Sequence, residues 1–161
     1  MQQCVDAIKA QTDASTYPLA AAVVLGNELL SIECSKLPAE PDPSAHPEMR
    51  AVRVAAAHVD SRYLPGAVLY STLEPCPMCT SVAIWAKMEG IVYGASQEEV
   101  LEFAQKHRSS SLTWRQIRIS SSTVVAAGEP ELWVTGGVLH EECLSLLRLT
   151  AERSRQPRSP D

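Results

Sequence analysis

The sequence predicts a single α/β domain in which strands and helices alternate. Short apolar segments of strand length are followed by longer segments with helical apolar periodicity, and this order is typical of an α/β sandwich. The 161 residues suit one domain with a substantial core, and 45% hydrophobic with 20% charged residues is an ordinary soluble balance. We expect the domain to span 1–150, followed by a polar, disordered tail at 151–161 that contains two prolines.

The first third of the chain predicts a helix, a β-hairpin and a second helix. A short helix is expected at 5–12, and strands at 19–25 and 28–34 flank Gly26-Asn27, a hairpin turn signal. Residues 35–45 contain three prolines and are interpreted as a loop. Pro47 suits the first position of a helix, where its missing N–H does little harm, and this helix is expected to run to about residue 59.

Beyond residue 60 the predicted elements continue to alternate, and the next helix is expected to begin at Pro75. They are strand 67–73, helix 75–86, strand 90–94, helix 97–107, strand 131–135 and helix 138–152. The Ser-rich stretch 108–129 has no readable periodicity, apart from a short extended piece at 116–120.

Charge and hydropathy bear on partners and location. The longest apolar runs are far too short to cross a bilayer, and the first residues lack the basic start and apolar stretch of a signal peptide, so a cytoplasmic location is expected. The net charge is -5, whereas binders of polyanions usually carry a basic stripe. Basic residues are dispersed except for a C-terminal cluster of Arg148, Arg153, Arg155 and Arg158. This balance disfavours a nucleic-acid partner, although a local basic patch is compatible with it.

Two short motifs carry the chemistry. His46-Pro47-Glu48 has the pattern H-x-E, and Pro75-Cys76-Pro77-Met78-Cys79 has the pattern P-C-x-x-C. Together they offer three zinc ligands and one carboxylate that does not ligate. Three protein ligands leave the fourth tetrahedral position to water, which distinguishes a catalytic zinc site from a closed structural one.

Other interpretations of these residue types are open. Cys76 and Cys79 alone fit a redox pair or half of a structural zinc site, but the separate His-x-Glu at a predicted helix start argues against the redox alternative. A structural site needs a second ligand pair near His46, and the sequence offers none. The remaining histidines are isolated and are interpreted as surface or capping residues: His58, His107 and His140. The remaining cysteines lack a framework spacing and are interpreted as small buried hydrophobes: Cys4, Cys34 and Cys143.

The predicted helix starts explain why these residues suit a metal. Helices that begin at Pro47 and Pro75 point unpaired N–H groups and positive dipole ends toward one place, which favours thiolates at Cys76 and Cys79. Glu48, on the first turn beside His46, is placed to take a proton from a water on the metal and pass it to a ring nitrogen. By itself Glu48 would fit equally well as a glutamate that offsets the helix dipole.

At these residues the chain resembles the zinc-dependent cytidine deaminase-like superfamily, over about residues 18–147. The resemblance includes Asp42-Pro43-Ser44-Ala45 before His46, Thr72-Leu73-Glu74 before Pro75, and VTGGVL at 134–139. It implies a three-layer α-β-α sandwich with a five-stranded mixed sheet, a homodimer or larger assembly, and hydrolytic release of ammonia from an amino-substituted base. It also implies Zn²⁺ held by His46, Cys76 and Cys79, with Glu48 as the proton carrier.

Two branches of the superfamily are similar to different segments. Residues 79–86, especially Ile84-Trp85-Ala86, resemble guanine and nucleoside deaminases, in which the aromatic at the position of Trp85 lines the base pocket; a core aromatic is the alternative for Trp85. Residues 135–143, TGGVLHEEC, resemble tRNA adenosine deaminases. The acidic balance favours a free nucleobase or nucleoside, with a guanine-like purine first, because phosphates normally dominate affinity for RNA.

The chain also departs from the family pattern. The family's base-contacting asparagine falls by ungapped count on Ser35, and Pro47 replaces the usual alanine of H-A-E. No clear equivalent is found for the acidic residues with which guanine deaminases grip the guanine amidine. A non-catalytic, zinc-stabilised scaffold subunit is a third interpretation, and the presence of Glu48 argues against it because such subunits typically lose this glutamate.

Overall fold

The computed structural model describes residues 1–10, 18–35, 41–107 and 114–153, the last five as backbone. The elements in chain order are α1 (Gln2–Lys9), β1 (Ala20–Leu25), β2 (Glu28–Cys34), α2 (Pro47–His58), β3 (Ala67–Leu73), α3 (Pro77–Trp85), β4 (Gly90–Ala95), α4 (Gln97–Lys106), α5 (Ser121–Ala126), β5 (Trp133–Thr135) and α6 (His140–Arg153).

The five strands form one mixed sheet in the order β2-β1-β3-β4-β5. The β1 strand is antiparallel to both β2 and β3, whereas β3, β4 and β5 are parallel. The strands β2, β3 and β4 therefore end at the same edge, which we call the carboxyl edge of the sheet. The predicted mixed sheet is confirmed, as is the two-residue turn at Gly26-Asn27, where Leu25 pairs with Glu28.

Helices cover both faces of the sheet, which confirms the three-layer arrangement. One apolar cluster joins the sheet to α2, α3 and α5, and includes Ala51, Ala55, Leu69, Ala83, Ile91 and Val125. The other joins the opposite face to α1, α4 and α6, and includes Val5, Ile8, Ala22, Val100, Cys143 and Leu146. Each helix buries one apolar stripe, as expected for a sandwich built around a single sheet.

The start of α3 corrects the prediction that a helix begins at Pro75. The helix begins at Pro77, and Cys76 is its N-cap with extended backbone angles of φ -66° and ψ 168°. A residue that precedes proline is pushed into the extended region by a clash with the proline ring. Because Cys76 precedes Pro77, the helix cannot begin before Pro77, and Pro75 belongs to the connection from β3.

Other boundaries also differ from the predictions. The first helix covers Gln2–Lys9 rather than 5–12, and residues 11 and 12 lie outside the described residues. The α5 helix was missed; its signal was Ser120, whose side chain accepts a hydrogen bond from the backbone N–H of Thr123. Residues 114–120 form no strand, and the last strand is shortened to Trp133–Thr135. The predicted tail is still helical through Arg153, and residues 154–161 lie outside the described part.

Most of the remaining cysteines and histidines have the structural roles predicted for them, as buried or as surface and capping residues. Cys4 and Cys143 are buried, and burial is the main cause that raises the pKa of each thiol to about 11. Cys34 is only half-buried. His107 ends α4 and lies 2.8 Å from the carbonyl oxygen of Phe103, while His58 is exposed. Among the described residues, no helix is long and apolar enough to cross a membrane.

Gly90 allows the β5 strand to pack against β4. A Cβ built at Gly90 would lie 2.3 to 2.7 Å from ring atoms of Trp133, its register partner on β5. We expect Gly90→Ala to lower the free energy of unfolding by about 1–3 kcal/mol, as overpacking usually does, measured by urea denaturation. In a Trp133→Ala background the same change should instead raise stability by about 0.4–1 kcal/mol, because alanine restricts the unfolded chain. An equal loss in both backgrounds would contradict this steric account.

Candidate active site

Two helices begin at one place beside the carboxyl edge. His46 is the N-cap of α2 and precedes Pro47, as Cys76 is the N-cap of α3 and precedes Pro77. Both N-cap residues have extended backbones, with φ -66° in each case, which is the conformation that a following proline favours. The first turns of both helices therefore direct their free N–H groups to the same region.

Three side chains at these helix starts form a compact set of donor atoms. His46 Nδ1 lies 3.7 Å from Cys76 Sγ and 3.5 Å from Cys79 Sγ, and the two sulfurs are 3.6 Å apart. Tetrahedral zinc with its usual bond lengths separates a nitrogen and a sulfur ligand by about 3.6 Å and two sulfurs by about 3.8 Å. The three sides of the triangle match these separations, so the residues fit Zn²⁺ without rearrangement of the backbone.

The three donors differ in their exposure to solvent. Cys79 is buried, Cys76 is half-buried and His46 is exposed. In the described part of the chain, this is the only group of three or more His, Cys, Asp or Glu residues whose donor atoms lie close enough for a metal. A site with three protein donors that opens toward solvent on one side suits a metal with a free coordination position.

The three donors interact electrostatically and shift one another's pKa values. The hydrogen bond with Cys79, together with that to the His46 imidazole, lowers the pKa of Cys76 to about 4 against the opposing effect of burial. The same hydrogen bond, with burial and the nearby carboxylate of Glu48, raises the pKa of Cys79. Contact with Cys76 raises the pKa of His46, although burial opposes this shift. The lowered pKa of Cys76 favours its thiolate, which is the form of cysteine that ligates zinc.

Glu48 lies under this triangle rather than in it. Its side chain is on the first turn of α2, only 4% of the residue is exposed, and its Oε1 accepts a hydrogen bond from Ser71 Oγ at 3.3 Å. Its Oε2 is buried and has no hydrogen-bond partner among the described residues. Burial raises the pKa of Glu48 although its own backbone N–H and His46 oppose the shift. A buried carboxyl with one unpaired oxygen next to a metal set is the arrangement expected of a group that carries protons.

Glu74 supports the connection that carries the cysteines. It is buried just before Pro75, and its Oε2 accepts a hydrogen bond from the backbone N–H of Gln97 at 3.0 Å. Its Oε1 accepts from the backbone N–H and the hydroxyl of Ser121, at 2.9 and 3.0 Å. One carboxylate therefore binds the N-termini of α4 and α5, whose dipoles stabilise its charge.

The carbonyl of Pro75 is held by two further side chains, Thr80 Oγ1 at 3.2 Å and Gln97 Nε2 at 3.1 Å. The roles of Glu74 and Gln97 were missed. The only signal in the sequence was an acidic residue directly between an apolar strand and the cysteine motif.

The two predicted substrate contacts lie in different parts of the fold. Ser35 follows the end of β2 at the carboxyl edge, and its N–H donates to the carbonyl of Leu19 at 2.8 Å. Trp85 is the last residue of α3, about 13 Å along the helix axis from Cys76. Its exposed fraction is 77%, so the interpretation of Trp85 as a core aromatic is wrong.

The sequence matches a protein-family model in the region that contains these donors. The model of the cytidine and deoxycytidylate deaminase zinc-binding region matches residues 1–95, which include all three donors and Glu48. The chain belongs to this family. Its donor triangle lies within the matched zinc-binding region after which the family is described.

Relatives named for three different activities are similar to this chain. It is 28% identical over 147 residues to a tRNA-specific adenosine deaminase of Bacillus subtilis, covering 91% of this chain and 83% of that protein. It is 29% identical over 85 residues to a guanine deaminase of the same organism, covering 53% and 54%. It is 34% identical over 144 residues to a tRNA(Ile)-lysidine synthase of Deinococcus deserti, covering 87% of this chain but only 24% of that protein.

Solved structures support the fold. A guanine deaminase from Nitrosomonas europaea superimposes with a TM-score of 0.71 at 23% identity, covering 94% of this chain and 82% of that one. At this identity the similarity establishes the cytidine deaminase-like fold and no finer property.

The metal assignment leads to a direct prediction. We expect one zinc per chain. Loss of a residue that only supports a ligand weakens zinc binding by about 10–100-fold, and His46→Ala or Cys76→Ser should weaken it further because each removes a ligand. Zinc content after dialysis, read by atomic emission, measures this. His140→Ala is the matched control, because His140 Nε2 is hydrogen-bonded to Glu99 at 2.6 Å and belongs to no metal set. Equal zinc loss in the control would contradict the assignment.

Proposed function

We propose that this deaminase hydrolytically releases ammonia from an amino-substituted free nucleobase or nucleoside, with a guanine-like purine favoured. The observation that carries the proposal is the buried carboxylate of Glu48, which has one unpaired oxygen and interacts electrostatically with the donors His46, Cys76 and Cys79. The same observation argues against a scaffold subunit, which has no use for a buried unpaired carboxylate at a metal site.

The chemistry divides between the metal and Glu48. Zinc held by the three donors would lower the pKa of a water at its open position toward neutrality. Glu48 would accept the two protons of the attacking water in turn. It gives one to the ring nitrogen, where it stays in the product, and one to the amino nitrogen, which leaves as ammonia. The water oxygen replaces the amine on the ring carbon, so that atoms and charges balance. A raised pKa suits Glu48 to both accepting and returning protons.

The charges near the site support a small substrate. The two arginines of α2 are both engaged by carboxylates: Arg50 Nε lies 3.1 Å from Glu33 Oε2, and Arg53 Nη1 lies 3.7 Å from Asp42 Oδ2. Positive charge that is already paired offers less to a phosphate backbone, and the net charge of -5 points the same way. Ser35, at the carboxyl edge, stays in the proposal as a contact to the base.

A tRNA adenosine is the second candidate substrate. It is supported by the similarity to the tRNA-specific adenosine deaminase of Bacillus subtilis, which extends over most of both chains, whereas the guanine deaminase matches about half of each. The two candidates share the zinc chemistry and differ in the need for a phosphate-binding surface.

A substrate panel tests the proposal. We expect zinc-loaded protein to release ammonia from guanine or another member of a panel of free bases and nucleosides, measured by a coupled ammonia assay. Glu48→Gln should keep its zinc and lose about 10²–10⁴-fold in kcat, because the amide cannot carry protons. The control is Glu28→Gln, which removes an exposed carboxylate on β2 and should leave turnover unchanged.

Two outcomes would overturn the proposal. Turnover retained by Glu48→Gln would contradict the proton carrier. Release from an anticodon stem-loop RNA but from no panel member, with binding that weakens steeply as salt is added, would replace the small substrate by tRNA.

We also propose that the protein forms a homodimer through the surface that carries Trp85. A tryptophan with 77% of its surface exposed is unusual on an isolated domain and typical of an interface. A base pocket to which Trp85 contributes would then need a second copy, since in its own chain Trp85 lies at the far end of α3 from Cys76. We expect sedimentation to report a dimer that Trp85→Ser weakens, whereas Ile117→Ser, at another exposed apolar residue, should not. Monomeric wild-type protein would contradict this.

A further inference from the structure

A buried hydroxyl lies beneath Glu48. Ser71, in the middle of β3, is 1% exposed, and its Oγ donates to Glu48 Oε1 at 3.3 Å. The strand is central in the sheet, with β1 on one side and β4 on the other, so the backbone at Ser71 is held by both neighbours.

Ser71 is polar, whereas its neighbours on the same face of the strand are apolar. Side chains two residues apart share a face of the sheet, and Ala67 and Leu69 on this face belong to the apolar cluster under α2 and α3. Packing alone would continue this series with another apolar side chain. Instead a hydroxyl stands opposite a buried carboxylate, and a buried polar group of this kind is tolerated where it has a partner.

The hydrogen bond distinguishes the two oxygens of Glu48. Because Oε1 accepts from Ser71, the carboxylate has a fixed orientation in which Oε2 is the oxygen without a partner among the described residues. A carboxyl group without such an anchor can turn about its last bond, whose rotational preference is broad. The contact is longer than a usual hydroxyl–carboxylate hydrogen bond, so the anchoring is expected to tighten in the substrate complex, as catalytic hydrogen bonds often do.

We propose that Ser71 is a positioning residue for the reaction, which turns Glu48 so that Oε2 exchanges protons with the substrate. This inference rests on the proposed function, in that Glu48 is the proton carrier. It differs from a purely structural role of Ser71, which would affect folding stability and zinc content but not the turnover of folded, zinc-loaded protein.

The chain offers a matched control. Ser31, on β2, is also buried, and its hydroxyl also donates to α2, to the carbonyl of Ala51 at 2.8 Å. Ser31→Ala and Ser71→Ala thus remove the same group from the same face of the sheet, and both break a hydrogen bond to the same helix. Only Ser71 contacts Glu48.

The experiment compares the two variants as folded, zinc-loaded full chains with guanine as the probe. We expect Ser71→Ala to lower kcat by about 10–100-fold, the scale of a misplaced catalytic group, with KM within about twofold. Ser31→Ala should keep the wild-type kcat, and Ser71→Thr, which restores a hydroxyl, should recover most of the loss. Equal kcat in wild type and Ser71→Ala, or equal losses in Ser71→Ala and Ser31→Ala, would overturn the proposal.

A second readout does not depend on activity. In a crystal structure of Ser71→Ala we expect the Glu48 carboxylate to rotate away from β3, whereas in Ser31→Ala it should stay in place. An unmoved carboxylate in Ser71→Ala would overturn the proposal even if wild-type protein does not act on guanine. A wild type that is inactive on the whole panel, with a carboxylate that moves only in Ser71→Ala, would instead contradict the proposed function and leave only the anchoring of Glu48 by Ser71 supported.

Discussion

The site depends on the constraint that proline places on the residue before it. His46 and Cys76 each precede a proline, and each is therefore extended and serves as the N-cap of a helix. The two prolines lack an N–H at a position where none is needed, so the helices start at fixed residues. With both starts fixed, an imidazole nitrogen and two sulfurs lie within 3.7 Å of one another.

The site also depends on a fixed position of the connection from β3 to α3, which carries Cys76. It is held by charge rather than by apolar packing: the carboxylate of Glu74 binds the N-termini of α4 and α5, and Gln97 holds the carbonyl of Pro75. A buried carboxylate that accepts three hydrogen bonds at two helix starts is satisfied in a way that an isolated one is not. The position of Cys76 therefore depends on elements that lie far ahead in the sequence.

Features that depend on neighbouring residues could be predicted from the sequence, whereas features that depend on contacts between distant elements could not. The strands β2 and β3 have their predicted bounds, and the three predicted donor residues lie together, because motif spacing and apolar patterns are local. The start of α3 was placed at Pro75 although the local effect of Pro77 already excluded it. The partners of Glu74 and the exposure of Trp85 were not readable, since they depend on which distant elements pack together.

The β3 strand links the three donor residues to Glu48. Ser71 contacts Glu48 from the middle of this strand, and five residues later the same chain reaches Cys76. The separation between the carboxylate and the donor triangle is therefore governed by a central strand, which is stiffer than a loop. Substrate-facing segments at the carboxyl edge are free to differ around this rigid unit without disturbing the chemistry. This division explains how relatives named for guanine and for tRNA adenosine are both similar to one chain.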